Sequence, residues 1–491
     1  MRNESFQAEV YHTDDMGDCF PLPVGGKADL PAVFLEEVHA MQKTFDYIDR
    51  NFDTMVEELQ KFCAQPSIAA QNKGMKETAE MLAEKMREAG IQAQILENEN
   101  GFPVVYGEVK GDSEKTLLFY NHYDVQPPEP IEKWNYPPFG SEIHDGILYA
   151  RGCSDDKGTL LSRVHGIEAI LKSGHTLPVN VKFLVEGEEE IGSPSFQAFV
   201  DSHRELLKAD ACLWENSAKD EDDNPVVKLG NKGMLYCQLC VKTGQTDVHS
   251  MNATIVPNAA WRLVEALNTL RDREGNVLIE GFYDDILPVC SEEKEAWKQV
   301  PSPEKGLKKR LGIDRFVNDV KGEEVNLALY TKPSCNICGI VSGYTGEGQK
   351  TVTPCEASAK LDFRLVVAQK PEKIVRLLRE HLDRHGFEDI EICVFSQAAP
   401  AKTPVTEKFV QVVTRAAQDV YEKPMVVLPT AAGTGPRDVF DWSGMPIAGI
   451  GCGHAGSVQH APNENIRLAD YKEAVKHVAA LLFRAGEEEI R

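Results

Sequence analysis

The sequence predicts an α/β protein: a three-layer domain on a largely parallel sheet, interrupted by a smaller inserted α+β domain. Three observations carry this. Between about residues 92 and 215, apolar runs of strand length alternate with stretches of helical periodicity, the order produced by strands joined through crossover helices. Past Gly233 the order becomes strand, helix, strand, helix, strand, a self-contained α+β unit. From Val405 the first alternation resumes. At 491 residues the chain is long for one core, so two domains are the natural prior. The division expected is an N-terminal arm (1–30), the first part of the main domain (31–232), the insert (233–399) and the second part of the main domain (400–491).

The arm carries early acids and no apolar stretch of signal-peptide type. From Ala32 to about Phe62, Leu35, Val38, Met41, Phe45 and Ile48 fall at helical spacing. A second helix runs from about Lys76 to Ala89 and stops at Gly90. Strands are expected at Gln92–Leu96, Val104–Val109 and Thr116–Asn121, and a strand-like Ile147–Arg151 leads into the helix Lys157–Lys172. Strand Val179–Val185, helix Ser195–Leu207 and strand Asp210–Trp214 complete this half. In the insert, Met234–Lys242, Ser358–Val367 and Glu391–Ser396 read as strands, and Pro257–Arg271 and Pro371–His385 as helices. The structure of residues 280–350 is not readable. Helix Val405–Val420, strands Met425–Leu428 and Pro446–Gly451, and helix Ala469–Ala485 close the chain.

A formal net charge of −24 argues against nucleic acid and anionic membrane surfaces as partners. No apolar run approaches the ~18 residues of a membrane span. Twelve cysteines scattered through apolar segments fit reduced thiols in a cytoplasm. Cys237/Cys240 and Cys335/Cys338 are each spaced as C-x-x-C, which admits a four-thiolate zinc site. Cys237 and Cys240 lie in an apparent strand, however, where residues three apart face opposite ways, and buried structural thiols are the preferred reading.

Three acid-bearing segments follow or precede strand-like runs: FYNHYDVQP, YARGCSDDKG and LVEGEEEIGS. His122 and Asp124 share a face at a strand end, suiting a metal-binding imidazole and the carboxylate that orients it, although a lone His there is more often structural. Asp155 and Asp156 stand at a helix start, where acids also serve as caps, but a carboxylate with two oxygens can bridge two cations. Four acids in five positions around Glu189 and Glu190 repel one another unless a cation is present; one can ligate while its neighbour acts as general base. Glu215 ends a further strand, and His460 follows a glycine-rich turn, with His454 competing for its place. Such carboxylate and imidazole sets suit zinc, with manganese or cobalt as substitutes.

The order H-x-D, G-x-x-D-D-K-G, E-E-x-G-S, strand-end Glu and H-x-x-N-E resembles the M20 metallopeptidases, and WNYPPFGSEIHDGILYARG is most similar to their carnosinase and dipeptidase branch. The resemblance implies a zinc-peptidase catalytic domain with an inserted lid and dimerisation domain. It implies Asp155 as the bridge between two divalent ions, through a cis Asp155–Asp156 peptide, with His122 and Glu215 completing one site and Glu190 and His460 the other. Glu189 would be the general base and Asp124 the partner of His122. His249 would be presented across a subunit boundary to the reacting carbonyl. Arg364, with the loop Gly433, Thr434 and Gly435, would grip a substrate carboxylate. The function implied is hydrolysis of dipeptides or short peptides with a free C-terminus, by a cytoplasmic homodimer.

Two departures widen the field. Dipeptidases of the family tend to have Asp where this chain has Glu215, and Arg437 after the glycine loop adds a charge able to read an acidic substrate. A deacylase removing an N-acyl group from an amino acid therefore stays open. So do a catalytically silent scaffold and a metal-storage or sensor protein, against which the retained Glu189 and Arg364 respectively count.

Overall fold

Eight strands form the central sheet, in the spatial order 92–96, 104–109, 180–186, 116–122, 211–214, 447–449, 226–228 and 426–428. The computed structural model describes residues 32–491, with side chains from Val38 onward; the expected N-terminal arm lies outside the described residues. Strand Thr116–His122 sits between two parallel neighbours, Asn180–Glu186 and Ala211–Trp214, and the latter runs parallel to Ile447–Gly449. The sheet is mixed rather than largely parallel. Gln92–Leu96 and Val104–Val109 are joined by a connection too short for a crossover and pair antiparallel, and Val104–Val109 also runs antiparallel to Asn180–Glu186.

Alternation along Thr116–His122 shows how the sheet splits its two cores. Leu117 and Phe119 face the larger core, built with helices 75–88, 157–172, 408–418 and 468–487. Leu118 and Tyr120 face the other, with Phe196, Trp214 and Phe440. The helix expected over Ser195–Leu207 spans only Phe196–Ser202. The Ser202 hydroxyl donates to the Phe199 carbonyl (2.8 Å) and the His203 ring also meets it (2.9 Å), so side chains occupy the acceptor at the helix end.

A second sheet orders strands 334–342, 356–365, 233–242 and 391–398, all antiparallel. Helices Ala259–Leu270 and Pro371–Arg384 cover one of its faces. Cys237 is buried in that core while Cys240 is half-buried, so the two thiols of the first C-x-x-C diverge, as do buried Cys335 and exposed Cys338. The segment left unread contains helices 291–299 and 304–311, helical turns over 323–331 and strand 334–342. It is strapped to the rest of the chain by the ion pair Lys402–Glu293 and by the Lys232 ammonium, which donates to the carbonyls of Leu329 (2.7 Å) and Lys332 (2.6 Å).

Candidate active site

Parallel neighbours bring their carboxyl ends to the same edge, and that edge is where the acids collect. His122 is the last residue of its strand and is buried. The chain turns away immediately beyond it, which lets Asp124 fold back: His122 Nδ1 lies 3.1 Å from the Asp124 carbonyl and 3.2 Å from Asp124 Oδ1. The other ring nitrogen, Nε2, is 3.2 Å from Asp155 Oδ1 and 3.7 Å from Glu215 Oε2. His460 Nε2 is 3.2 Å from Asp155 Oδ2 and 3.2 Å from Glu190 Oε2. The five side chains expected to hold metal thus meet, with one Asp155 oxygen directed to each histidine. His454, the competitor, is engaged elsewhere, with Asn465 Oδ1 at 3.0 Å from Nε2 and the Gly456 amide donating to Nδ1.

The turn carrying Asp155 is held by residues whose parts the sequence reading did not assign. Buried Glu464 accepts from the Arg151 guanidinium (2.6 Å) and from the amides of Gly152, Ser154 and Asp155 (2.9, 3.0 and 3.0 Å). Gly152 has φ +83°, and a Cβ there would come within 2.3 Å of Val125, so both conformation and space require glycine. The Asp155–Asp156 peptide is cis. Asp156 occupies the N-cap position of helix 157–172 without a side-chain capping bond; its carboxylate takes a 2.5 Å bond from Asn121 instead. Arg163 then donates to Asn121 Oδ1 (2.7 Å) and to the carbonyls of Tyr120 (2.7 Å), Leu213 (2.9 Å) and Trp214, crossing the ends of two strands. An arginine inside the apolar run LLSRVHG was the available signal for this tie.

Without cations these groups conflict. Burial, then the nearby Glu215, pushes the Glu189 carboxyl well above the usual range. Burial likewise raises Glu215, against the pull of His122. Hydrogen bonds to Asp155 and Glu190 raise His460 to about 10. In the protein alone, protons would do the work of neutralisation. Ligand atoms of His122, Asp156 and Glu215 lie within 4.8 Å of one another, as do those of Asp155, Glu190 and His460. Asp156 Oδ1 and Glu215 Oε2 are buried without a hydrogen-bond partner. A donor set of oxygen and imidazole with orphaned carboxylate oxygens fits a pair of divalent cations. Asp156, not among the expected ligands, stands beside the first group with its carboxylate held by Asn121. A third cluster, Glu58, His165 and Glu168, is already filled by the Lys85 ammonium, 2.8 Å from Glu58 and 3.0 Å from Glu168.

A cleft of about 670 Å³ opens beside this centre, lined by Glu189, Glu190, His460, Arg364, Thr434 and Gly435 among others. Arg364 donates to Asp362 Oδ2 (3.1 Å) and to Thr434 Oγ1 (2.8 Å) and keeps its remaining N–H groups for other acceptors. Gly433 lines the adjoining pocket. His249 is the outlier: it is exposed on the short strand Val248–His249, with its ring bonded to the Met251 amide and Thr351, and it does not line this cleft. Asp124 reaches the centre from behind, accepting from the amides of Glu189 (3.3 Å) and Glu190 (3.0 Å). Among the described residues no helix is long and apolar enough to cross a membrane.

Comparison with known proteins agrees with this architecture. Human Beta-Ala-His dipeptidase is 27% identical over 481 residues, covering 91% of this chain and 93% of its own. The Cys-Gly metallodipeptidase dug1 of Schizosaccharomyces pombe is 28% identical over 363 residues, 70% of this chain and 76% of its own. The structure of the M20 family metallo-carboxypeptidase Sso-CP2 from Sulfolobus solfataricus superposes with a TM-score of 0.85 at 40% identity, covering 88% of this chain and 99% of that one. Human carnosine dipeptidase 1 gives a TM-score of 0.74 at 25% identity, with 91% and 100% covered. The model of Peptidase family M20/M25/M40 matches residues 118–484, three quarters of the sequence, and the chain belongs to that family of metallopeptidases.

Proposed function

We propose that this enzyme hydrolyses the amide bond of dipeptides or short peptides with a free C-terminal carboxylate. The observation that carries the reading is one juxtaposition: Glu189, the two expected metal ligands Glu190 and His460, and the Arg364–Thr434 pair line a single cleft. His122, Asp155 and Glu215 would hold one divalent ion, and Asp155, Glu190 and His460 the other, with zinc the best match to the donors and manganese or cobalt as substitutes. When bound, such ions polarise the scissile carbonyl and bring the pKa of the attacking water towards neutrality. Glu189 takes the proton of that water and returns it to the leaving amine. Arg364, Thr434 and the backbone around Gly433 and Gly435 hold the substrate carboxylate, which sets the carbonyl over Glu189 and restricts substrates to short chains. Asp124 keeps the His122 ring in register.

The insert, residues 233–399, serves as lid and dimerisation domain in this reading. His249, which does not line the cleft of its own chain, would act in the cleft of a second copy by stabilising the oxyanion. Buried unpaired thiols such as Cys63, Cys153, Cys212 and Cys452 support a reducing, cytoplasmic setting. The names of the dipeptidase relatives and of the carboxypeptidase support a substrate with an exposed C-terminus. Glu215, where dipeptidases tend to have Asp, favours as second reading the removal of an N-acyl group from an amino acid.

A panel of small dipeptides and N-acyl amino acids, assayed for free amino acid with metal-reconstituted and chelated protein, tests this. Chelator-sensitive release from dipeptides is expected. Faster release from the acyl amino acids would move the enzyme to the deacylases, and no release from either would end the proposal.

A further inference from the structure

A second, smaller pocket of about 240 Å³ adjoins the cleft and meets it at Glu189, Thr434, Gly435 and His460. Its wall holds two cations, Lys228 and Arg437, on the side of the centre formed by Glu215, and it does not include Arg364. Among the described residues the other buried cations each have a counter-charge or two or more carbonyls, although Arg151 Nε and Arg163 Nε are without a partner. Arg151 has Glu464, Lys85 has Glu58 and Glu168, Lys157 has the carbonyls of Phe62 and Gln65, and Arg163 and Lys232 have the carbonyls described above. Lys228 and Arg437 differ. Among the described residues the Lys228 ammonium has no hydrogen-bond partner and lies in no ion pair. Arg437 is 2% exposed, has its guanidinium over the Trp214 ring at 5.3 Å, and gives one bond of 3.2 Å to the Lys228 carbonyl; its Nε is buried with no partner. Asn231 Oδ1, in the same wall, is buried and unpartnered as well.

A buried guanidinium and a half-buried ammonium without counter-charge are costly to maintain. Of the carboxylates in the same wall, Asp155 and Glu215 belong to the expected metal-binding set and Glu189 is the proposed base. Divalent ions there would claim those charges and leave both cations uncompensated. The missing partner must be an anion that arrives from outside.

We propose that this pocket is the subsite for a second carboxylate of the substrate, on the acyl side of the scissile bond, so that peptides with an acidic N-terminal residue are the favoured class. The inference rests on the peptidase reading above. A substrate whose C-terminal carboxylate sits on Arg364 and whose carbonyl lies over Glu189 must send its remaining portion across Glu215, where Lys228 and Arg437 wait. The volume is that of one side chain rather than a long peptide. Arg437 lies over the Trp214 ring at 5.3 Å, and Lys228, the last residue of strand Val226–Lys228, supplies a second donor.

The test compares glutamyl-alanine with its uncharged isostere glutaminyl-alanine on zinc-loaded full-length wild type, Lys228→Met and Lys228→Arg. It adds calorimetric titration of glutarate into the same zinc-loaded proteins. In wild type kcat/KM should favour glutamyl-alanine by about tenfold or more, the worth of a charge-assisted bond over a neutral one. The ratio should fall towards one in Lys228→Met and recover in Lys228→Arg, and glutarate should bind Lys228→Met about tenfold more weakly. Equal rates on the two peptides in wild type, which needs no variant, would overturn the subsite. So would a Lys228→Met that lowers both rates alike, since Lys228 would then serve only to balance the metal-binding acids. Should neither peptide be cleaved, the peptidase reading fails on its own and glutarate binding decides the pocket: weakening in Lys228→Met sustains it, and equal binding removes it.

Discussion

In the proposed mechanism Glu189 is the residue on which the chemistry turns. It is not among the atoms that crowd His122 and His460, yet it lines both pockets, as a base facing substrate must. Glu189→Gln keeps shape and removes basicity, so kcat should fall by about a hundredfold to ten-thousandfold, while atomic emission finds the metal content of wild type. A His249→Ala variant should lower kcat with metal retained; an unaltered rate would take His249 out of the mechanism. The residues that sequence singled out and the structure brings together were those with a local signature: His122 and Glu215 at strand ends, Asp155 at a helix start, Glu190 in a run of acids and His460 after a glycine-rich turn. Lys228 and Asn121 carried none. Their importance comes from which distant groups they meet, and a lysine ending a strand looks the same in sequence whether or not it has a partner.

At the scale of elements, the site depends on a turn pinned by Glu464 from more than three hundred residues away. Replacing that acid with an amide, Glu464→Gln, leaves the Arg151 charge buried without its counter-ion. A loss of about 3–5 kcal/mol follows from breaking a buried pair on one side only, to be measured as a shift in the urea midpoint; a change under 1 kcal/mol would show the pair to be dispensable. The alternation of strand and helix was legible because apolar runs and helical stripes differ in period. Strand direction at the sheet edge was not, since an apolar run such as Val104–Val109 reads alike in either orientation. The stretch from 280 to 350 was opaque for another reason: its helices are short and mostly polar, and what fixes them is contact with distant groups, such as Glu293 with Lys402 and Trp297 with Tyr330.

For the whole molecule, two measurements follow. Removing divalent metal with chelator should lower the Tm, because an ion bound only by the folded chain stabilises by about 2.7 kcal/mol at a hundredfold excess over Kd; an identical Tm would argue that the centre does not bind. The second concerns pH. His477 is fully buried, with Nε2 3.1 Å from the Val413 carbonyl, and burial lowers its pKa to about 4. The unfolded chain regains the ordinary value near 6.5, so between these two values it binds more protons than the fold does. Stability is therefore complete above pH 6.5, declines as pH falls towards 4, and loses about 3 kcal/mol over that window. Urea titrations of chelated wild type and His477→Gln should diverge in this interval and run parallel below it.

The carboxylate of Asp124 has one further implication. It anchors the His122 ring and also the amides of Glu189 and Glu190, so one proposed metal ligand from each half of the centre, His122 and Glu190, hangs on the same support. Loading of the two ions is then a joint event. In a zinc titration, Asp124→Ala should depress occupancy at both positions together, instead of yielding a protein with one ion bound tightly and the other lost.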